Sequence, residues 1–98
     1  ALPPGALRSP FYVHLEVDDR PGVLAEVARR LAEHDFSVAR LVQVPAPVGA
    51  VLHIVVHEAP ESAVEAALAE ISDLRIVHAP PFLVPVVSDR GVAELGWA

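Results

Sequence analysis

From Phe11 to Val17 the sequence FYVHLEV alternates without a break, setting Phe11, Val13, Leu15 and Val17 against Tyr12, His14 and Glu16. A period of two belongs to a strand with one buried face. After the turn Asp18 to Gly22 the period changes. Val23, Leu24, Val27, Ala28 and Leu31 recur at helical spacing, while Glu26, Arg29, Arg30 and Glu33 occupy the other side. Pro21 suits the first helical turn, where its missing N–H would have no intrahelical partner. The chain must therefore place a half-buried strand and an amphipathic helix around a shared apolar layer.

The rest of the sequence repeats those two periods. FSVARLVQV is rich in branched residues and predicts a second strand, with apolar positions that do not sort onto one face and so predict cover on both. PAPVG is a turn. AVLHIVVH predicts a third strand, hairpin-paired with the second, with Leu52, Ile54 and Val56 on one face and His53 and His57 on the other. A second helix opens at Pro60, with Val64, Ala67, Leu68 and Ile71 at i, i+3, i+4 and i+7. FLVPVV is a fourth strand, and Pro85 removes a ladder donor, which assigns it to an edge or a bulge. The order βαββαβ is the split βαβ pattern of the α+β class. It predicts a ferredoxin-like sandwich, a four-stranded antiparallel sheet with two helices on one face, whose halves are related by structural pseudo-symmetry. Residues 1–10, with three prolines and a glycine, read as a linker.

Composition narrows the classes of function. A length of 98 residues allows one domain with one core. Seven basic against thirteen acidic side chains, a net charge of −6, oppose nucleic acid as a partner. No apolar run approaches the roughly 20 residues of a membrane span. The absence of cysteine excludes disulfides and thiolate zinc and fits a cytoplasmic setting. The absence of methionine even at position 1 reads as a domain cut from a longer polypeptide. A hydrophobic fraction of 53% with few aromatics exceeds what one small core needs, and so predicts a homodimer formed through sheet edges or through the first helix against its mate.

The order of elements together with LEVDDRPGVLAEVARRLAEHDFSVARLVQ resembles the ACT domain, a small-molecule-binding regulatory module. More particularly, FYVHLEVDDRPGVLAEVARRLAEHDFSV, LHIVVHEAPESAVEAALAEISDL and IVHAPPFLVPV look like the C-terminal domain of bacterial homoserine dehydrogenases. The resemblance assigns residues 11–87 to an ACT-like regulatory domain and leaves 88–98, with Trp97, as a C-terminal extension. It implies feedback sensing, with threonine as effector and the catalytic domain of the parent enzyme as partner. That parent would be an NAD(P)-dependent dehydrogenase. No G-x-G-x-x-G follows any predicted strand, so neither that activity nor a cofactor is expected of these residues themselves.

The turn Asp18, Asp19, Arg20, Pro21 and Gly22 is dense in special residues. It reads either as a tight strand-to-helix connection with helpful acids or as a ligand seat. As a seat, the N–H groups opening the helix at Val23 and Leu24 would receive a carboxylate, and Gly22 would permit close backbone approach. Asp19 would accept from an ammonium group. The resemblance to amino-acid-binding ACT domains adds Ser37, at the start of the second strand, to Asp19 as a ligand-touching position. Many members of the family carry asparagine at both places. His14, His53 and His57 share a predicted sheet face, where a metal site competes with plain packing. No nucleophile lies beside a base on a defined motif, so no catalytic residue is assigned. The alternative function is a dimerisation module that keeps the fold and binds no effector.

Overall fold

The structure is a computed structural model that describes residues 7–86. Six elements follow in the predicted order: β1 (Arg8–Val17), α1 (Val23–Glu33), β2 (Val38–Pro45), β3 (Ala50–Pro60), α2 (Glu61–Ser72) and β4 (Phe82–Pro85). The strands form one antiparallel sheet in the order β2-β3-β1-β4, and both helices contribute buried side chains to the core over one of its faces. The predicted C-terminal extension and Trp97 lie outside the described residues, as do the first six residues of the predicted linker.

Alternation in β1 works as its period requires. Phe11, Val13 and Leu15 are fully buried and Val17 nearly so, while Tyr12 and His14 sit half-buried on the opposite face. Opposite them β3 buries Leu52, Ile54 and Val56, and the helices close the layer with Val23, Val27 and Leu31 from α1 and Val64, Leu68 and Ile71 from α2. Each large apolar side chain removed from water in this way contributes roughly 1.5–3 kcal/mol before entropy is counted. The buried stripe of α1 is narrower than its apolar positions imply, because Leu24 and Ala28 remain exposed.

β1 begins at Arg8, earlier than the alternation from Phe11 indicates. Pro10 hides this start by having no ladder donor. The pairing accommodates it with a bulge in which Pro10 alone stands against His57 and Glu58 of β3, between the pairs Ser9↔Ala59 and Phe11↔Val56. A second irregularity, at Ala39 in β2, separates Val38↔Val56 from Arg40↔Val55. It explains why the apolar residues of β2 obey no single alternation. The expectation that both faces of β2 are covered is corrected: β2 is an edge strand with no fully buried residue. β4, with Pro85, is the other edge.

The helices are joined to one another by charge. The Arg30 guanidinium donates to Glu26 Oε1 at 3.0 Å on its own helix and to Glu70 Oε1 at 2.8 Å on α2, while His34 Nε2 lies 2.7 Å from Glu70 Oε2. Hydrogen bonds from His34 and then Arg30 hold the Glu70 carboxyl below the usual carboxylate range, and those from Arg30 and Arg29 do the same for Glu26. A depressed folded value means that the ionised form stabilises the fold above the unfolded carboxylate range and that this contribution is lost as pH falls through the folded value. Glu70→Gln should therefore lower Tm at pH 7, and the difference from wild type should shrink as pH falls and close once the wild-type carboxyl is protonated in both states. Thermal melts at falling pH check it, and parallel curves at every pH would contradict it.

Candidate functional site

The turn after β1 is built on one glycine-dependent bend. Arg20 to Val23 closes with the Val23 N–H donating to the Arg20 carbonyl at 3.3 Å, and Gly22 takes φ 89° and ψ −16°. Proline followed by a glycine of positive φ is the signature of a type II turn. Pro21 thus precedes the helix, contrary to its expected place in the first helical turn, and Gly22 itself is the N-cap. The first bond of the helix runs from the Glu26 N–H to the Gly22 carbonyl, so the Leu24 and Ala25 amides come before the intrahelical ladder begins. No side chain caps this end, and a Cβ built on Gly22 would meet nothing within 4 Å.

Above this end lies a depression of about 390 Å³, lined by Val17, Asp19, Arg20, Pro21, Gly22, Val23, Leu24, Gln43 and Leu52. Six of the eight residues expected at the site, Asp19 through Leu24, therefore come together on one cavity wall. Exposed Leu24 forms part of its rim. Gln43, which no sequence argument singled out, reaches from the end of β2 and donates from Nε2 to Asp19 Oδ1 at 3.2 Å. A lone glutamine in a strand carries no pattern. Only the register, which sets Gln43 opposite Leu52 on the helix-bearing face, reveals it.

Asp18 and Ser37 fall elsewhere. Asp18 is hydrogen-bonded to His78 Nε2, and its other oxygen lies 3.3 Å from the Arg20 guanidinium. Its amide donates to Ile76 at 2.8 Å and the His78 amide donates to Glu16 at 2.8 Å, so the segment before β4 is strapped to the end of β1. Asp18 thus fastens a loop. Ser37 stands at the other end of the sheet, because β1 and β2 run in the same direction and α1 carries the chain back between them. It lines a separate depression of about 290 Å³ with Arg8, His34, His57 and Glu58, and its carbonyl accepts from the His57 amide at 2.8 Å. Within one chain Ser37 and the turn do not form a single site.

On the helix-free face His14 and His53 are direct cross-strand partners, as the topology requires, with ring centroids 5.8 Å apart. Tyr12 Oη lies between them, 3.2 Å from His14 Nδ1 and 2.7 Å from His53 Nδ1. Burial raises the Tyr12 hydroxyl above its ordinary value and, ahead of the charge of His14, lowers the His53 imidazole. His57, carried off at the bulge, does not join them. Among the described residues no group of three or more His, Cys, Asp or Glu is arranged to hold a metal, and no helix is long and apolar enough to cross a membrane.

Comparison with known proteins bears on the fold that carries this turn. The ACT domain family profile matches residues 12–75. Homoserine dehydrogenase of Mycobacterium tuberculosis is 32% identical over 82 residues, covering 78% of this chain and 19% of that protein. The Neisseria gonorrhoeae enzyme is 29% identical over 89 residues, covering 89% of this chain and 20% of its own length. The chain thus spans about a fifth of these curated relatives. A crystal structure of homoserine dehydrogenase from Thiobacillus denitrificans superposes with a TM-score of 0.76 at 32% identity, over 86% of this chain and 19% of that one. The ACT domain of a Chlorobium tepidum GTP pyrophosphokinase superposes at 0.66 over 80% of this chain and all of its own, with 6% identity, so that likeness concerns the fold alone.

Two glycines of positive φ support the site, and they differ in what surrounds them. A Cβ on Gly22 has open space, whereas one on Gly49, at φ 74°, would collide with the Val17 carbonyl at the base of the depression and come within 2.8 Å of His78 Cε1. Gly22→Ala should cost only the left-handed strain, about 1–2 kcal/mol. Gly49→Ala should cost more than that, because the end of β1 and its strap must also move. Urea unfolding of both variants checks the order, and a milder Gly49→Ala would refute it.

Proposed function

Because the chain belongs to the ACT domain family, as a regulatory domain related to part of the homoserine dehydrogenases, we propose that the depression at the β1–α1 turn binds a free amino acid, threonine in the first instance. The observation that carries this reading is the pairing of opposite chemistries across one small cavity. On one side the uncapped end of α1 presents amides and the positive end of its dipole beside the open space at Gly22. On the other side Gln43 holds the exposed Asp19 carboxylate. A zwitterion meets both needs. Its carboxylate faces the amides, its ammonium faces Asp19, and Leu24 and Leu52 line the space beside its side chain. Gln43 can also offer its carbonyl oxygen to a hydroxyl.

A second copy completes this arrangement. β2 is an unpaired edge with Val38 and Val44 about 40% exposed. Antiparallel pairing of β2 with its mate, centred on Arg40, sets Ser37 of one copy beside Gln43 of the other, and so returns Ser37 to the depression from across the interface. The ligand then bridges two chains. In the parent protein such a dimer would report threonine to a nicotinamide-dependent dehydrogenase unit in the cytoplasm. The same apolar edge also supports the plainer reading of a dimerisation module without effector.

Calorimetry and thermal melts with threonine, serine, isoleucine, lysine, methionine and alanine at millimolar concentration separate the two readings. Threonine should raise Tm most, since a ligand at about 100 times its Kd adds about 2.7 kcal/mol to the folded state. Asp19→Ala, which removes a charge-assisted hydrogen bond, should weaken binding by about tenfold or more while the dimer mass in sedimentation stays the same. No heat and no shift with any amino acid, in a chain that still dimerises, would leave the dimerisation module standing.

A further inference from the structure

Two adjacent acids share one cation at the β1–α1 turn, and how they divide it decides what Asp19 can offer a ligand. Arg20 follows Asp19 in the chain and lines the same depression, so its guanidinium can reach either carboxylate. In the structure it turns to Asp18, with Nη2 3.3 Å from Oδ2. Asp19 instead accepts from the uncharged Gln43 amide, at 3.2 Å. On the reading of the depression as an amino-acid seat, we propose that Asp18 is a positioning residue: held by His78, it draws Arg20 aside and leaves the Asp19 carboxylate to the ligand's ammonium group.

The backbone places His78 for this role. The Val17↔Val77 bridge, the His78 amide on the Glu16 carbonyl and the Asp18 amide on the Ile76 carbonyl, both at 2.8 Å, fix it against the end of β1. Its ring lies against Gly49, where a Cβ would come within 2.8 Å of Cε1, so the missing side chain makes room for it. Nε2 is thereby brought to Asp18 Oδ1. A carboxylate only accepts, so Nε2 carries the hydrogen and donates it. One oxygen of Asp18 is fixed by the ring, and the other is left for Arg20.

The division matters because an Arg20–Asp19 pair would set a cation where the ammonium group must sit and would occupy the acceptor positions it needs. Gln43 brings a donor without a charge, so Asp19 is oriented and still able to pair with a cation. The size of the effect follows from exposure. The Arg20 side chain is 61% exposed, and an exposed ion pair moves an equilibrium by a factor of about five at most. Asp18 therefore tunes the affinity of a seat that persists without it.

Threonine calorimetry on variants of the 98-residue chain tests this role, with circular dichroism and urea unfolding to establish that each variant folds. Asp18→Asn keeps an acceptor for His78, and hence the strap, but gives up the charge that draws Arg20. It should weaken threonine binding about three- to fivefold. Adding Arg20→Gln removes the cation that would then settle on Asp19, and should recover most of that loss. A merely structural role for Asp18 predicts neither the loss in a variant that keeps the strap nor the recovery. His78→Leu, which releases Asp18, should show the same loss, and His78→Gln, which keeps a donor, should restore most of the affinity. Wild-type affinity in Asp18→Asn, or a double variant no better than Asp18→Asn alone, would overturn the proposal and leave the amino-acid seat intact. A wild-type chain that takes up no amino acid would overturn the seat itself, and this role for Asp18 with it.

Discussion

The antiparallel pairing of β1 with β3 is the constraint on which everything else hangs. It runs from Arg8↔Pro60 to Val17↔Ala50 and places two alternating strands in register, so that Phe11, Val13, Leu15 and Val17 share one side with Leu52, Ile54 and Val56. That side can only be kept from water by the two helices, which fixes the layer order. The opposite side then necessarily gathers Tyr12, His14 and His53. The same strand that ends at the depression also carries the aromatic and histidine row, so one element connects the sheet's two faces. A one-residue slip of β1 against β3 would exchange the faces and expose the core residues of β1.

What was legible in the sequence follows from which residues obey a period. β1, α1 and α2 each bury one clean stripe, and their types and approximate limits could be read directly. β2 could not, because the extra residue at Ala39 breaks its phase and because an edge strand with two partly wet faces imposes no strict choice of side chain. The early start of β1 was masked by Pro10, whose defect is absorbed by a bulge on the neighbouring strand, a feature of pairing that one strand's sequence does not contain. The end of α1 is similar. Asp35 takes the left-handed conformation, at φ 61°, that a glycine would have advertised.

The site was legible to the extent that it is local. Asp19 to Leu24 are contiguous and arrive together whatever the rest of the chain does. Asp18, adjacent to them, was grouped with the ligand seat because nothing in the local sequence reveals its partner His78 across the fold. Gln43 and Ser37 show the converse problem. Both lie on β2, yet the direction of that strand brings Gln43 to the depression and takes Ser37 to the far end of the sheet. Strand direction is a property of topology, and a resemblance that puts Asp19 and Ser37 on one ligand can be met here only under the proposal that a second copy supplies Ser37.

That inference bears on how so small a domain could regulate anything. A ligand shifts an equilibrium only by the difference in its affinity for the alternative states. A cavity whose walls all belong to one rigid turn would bind alike in each arrangement of the larger protein and would report nothing. Here the turn is anchored by the Asp18–His78 strap and the type II bend, while the proposed remaining wall comes from an edge strand that a second copy can approach or leave. The affinity of the complete site then depends on how the two chains are placed. Binding energy realised only in the closed arrangement is what can be passed to a neighbouring unit, and the exposed apolar edge of β2 keeps the cost of that closure low by giving Val38 and Val44 a surface to cover.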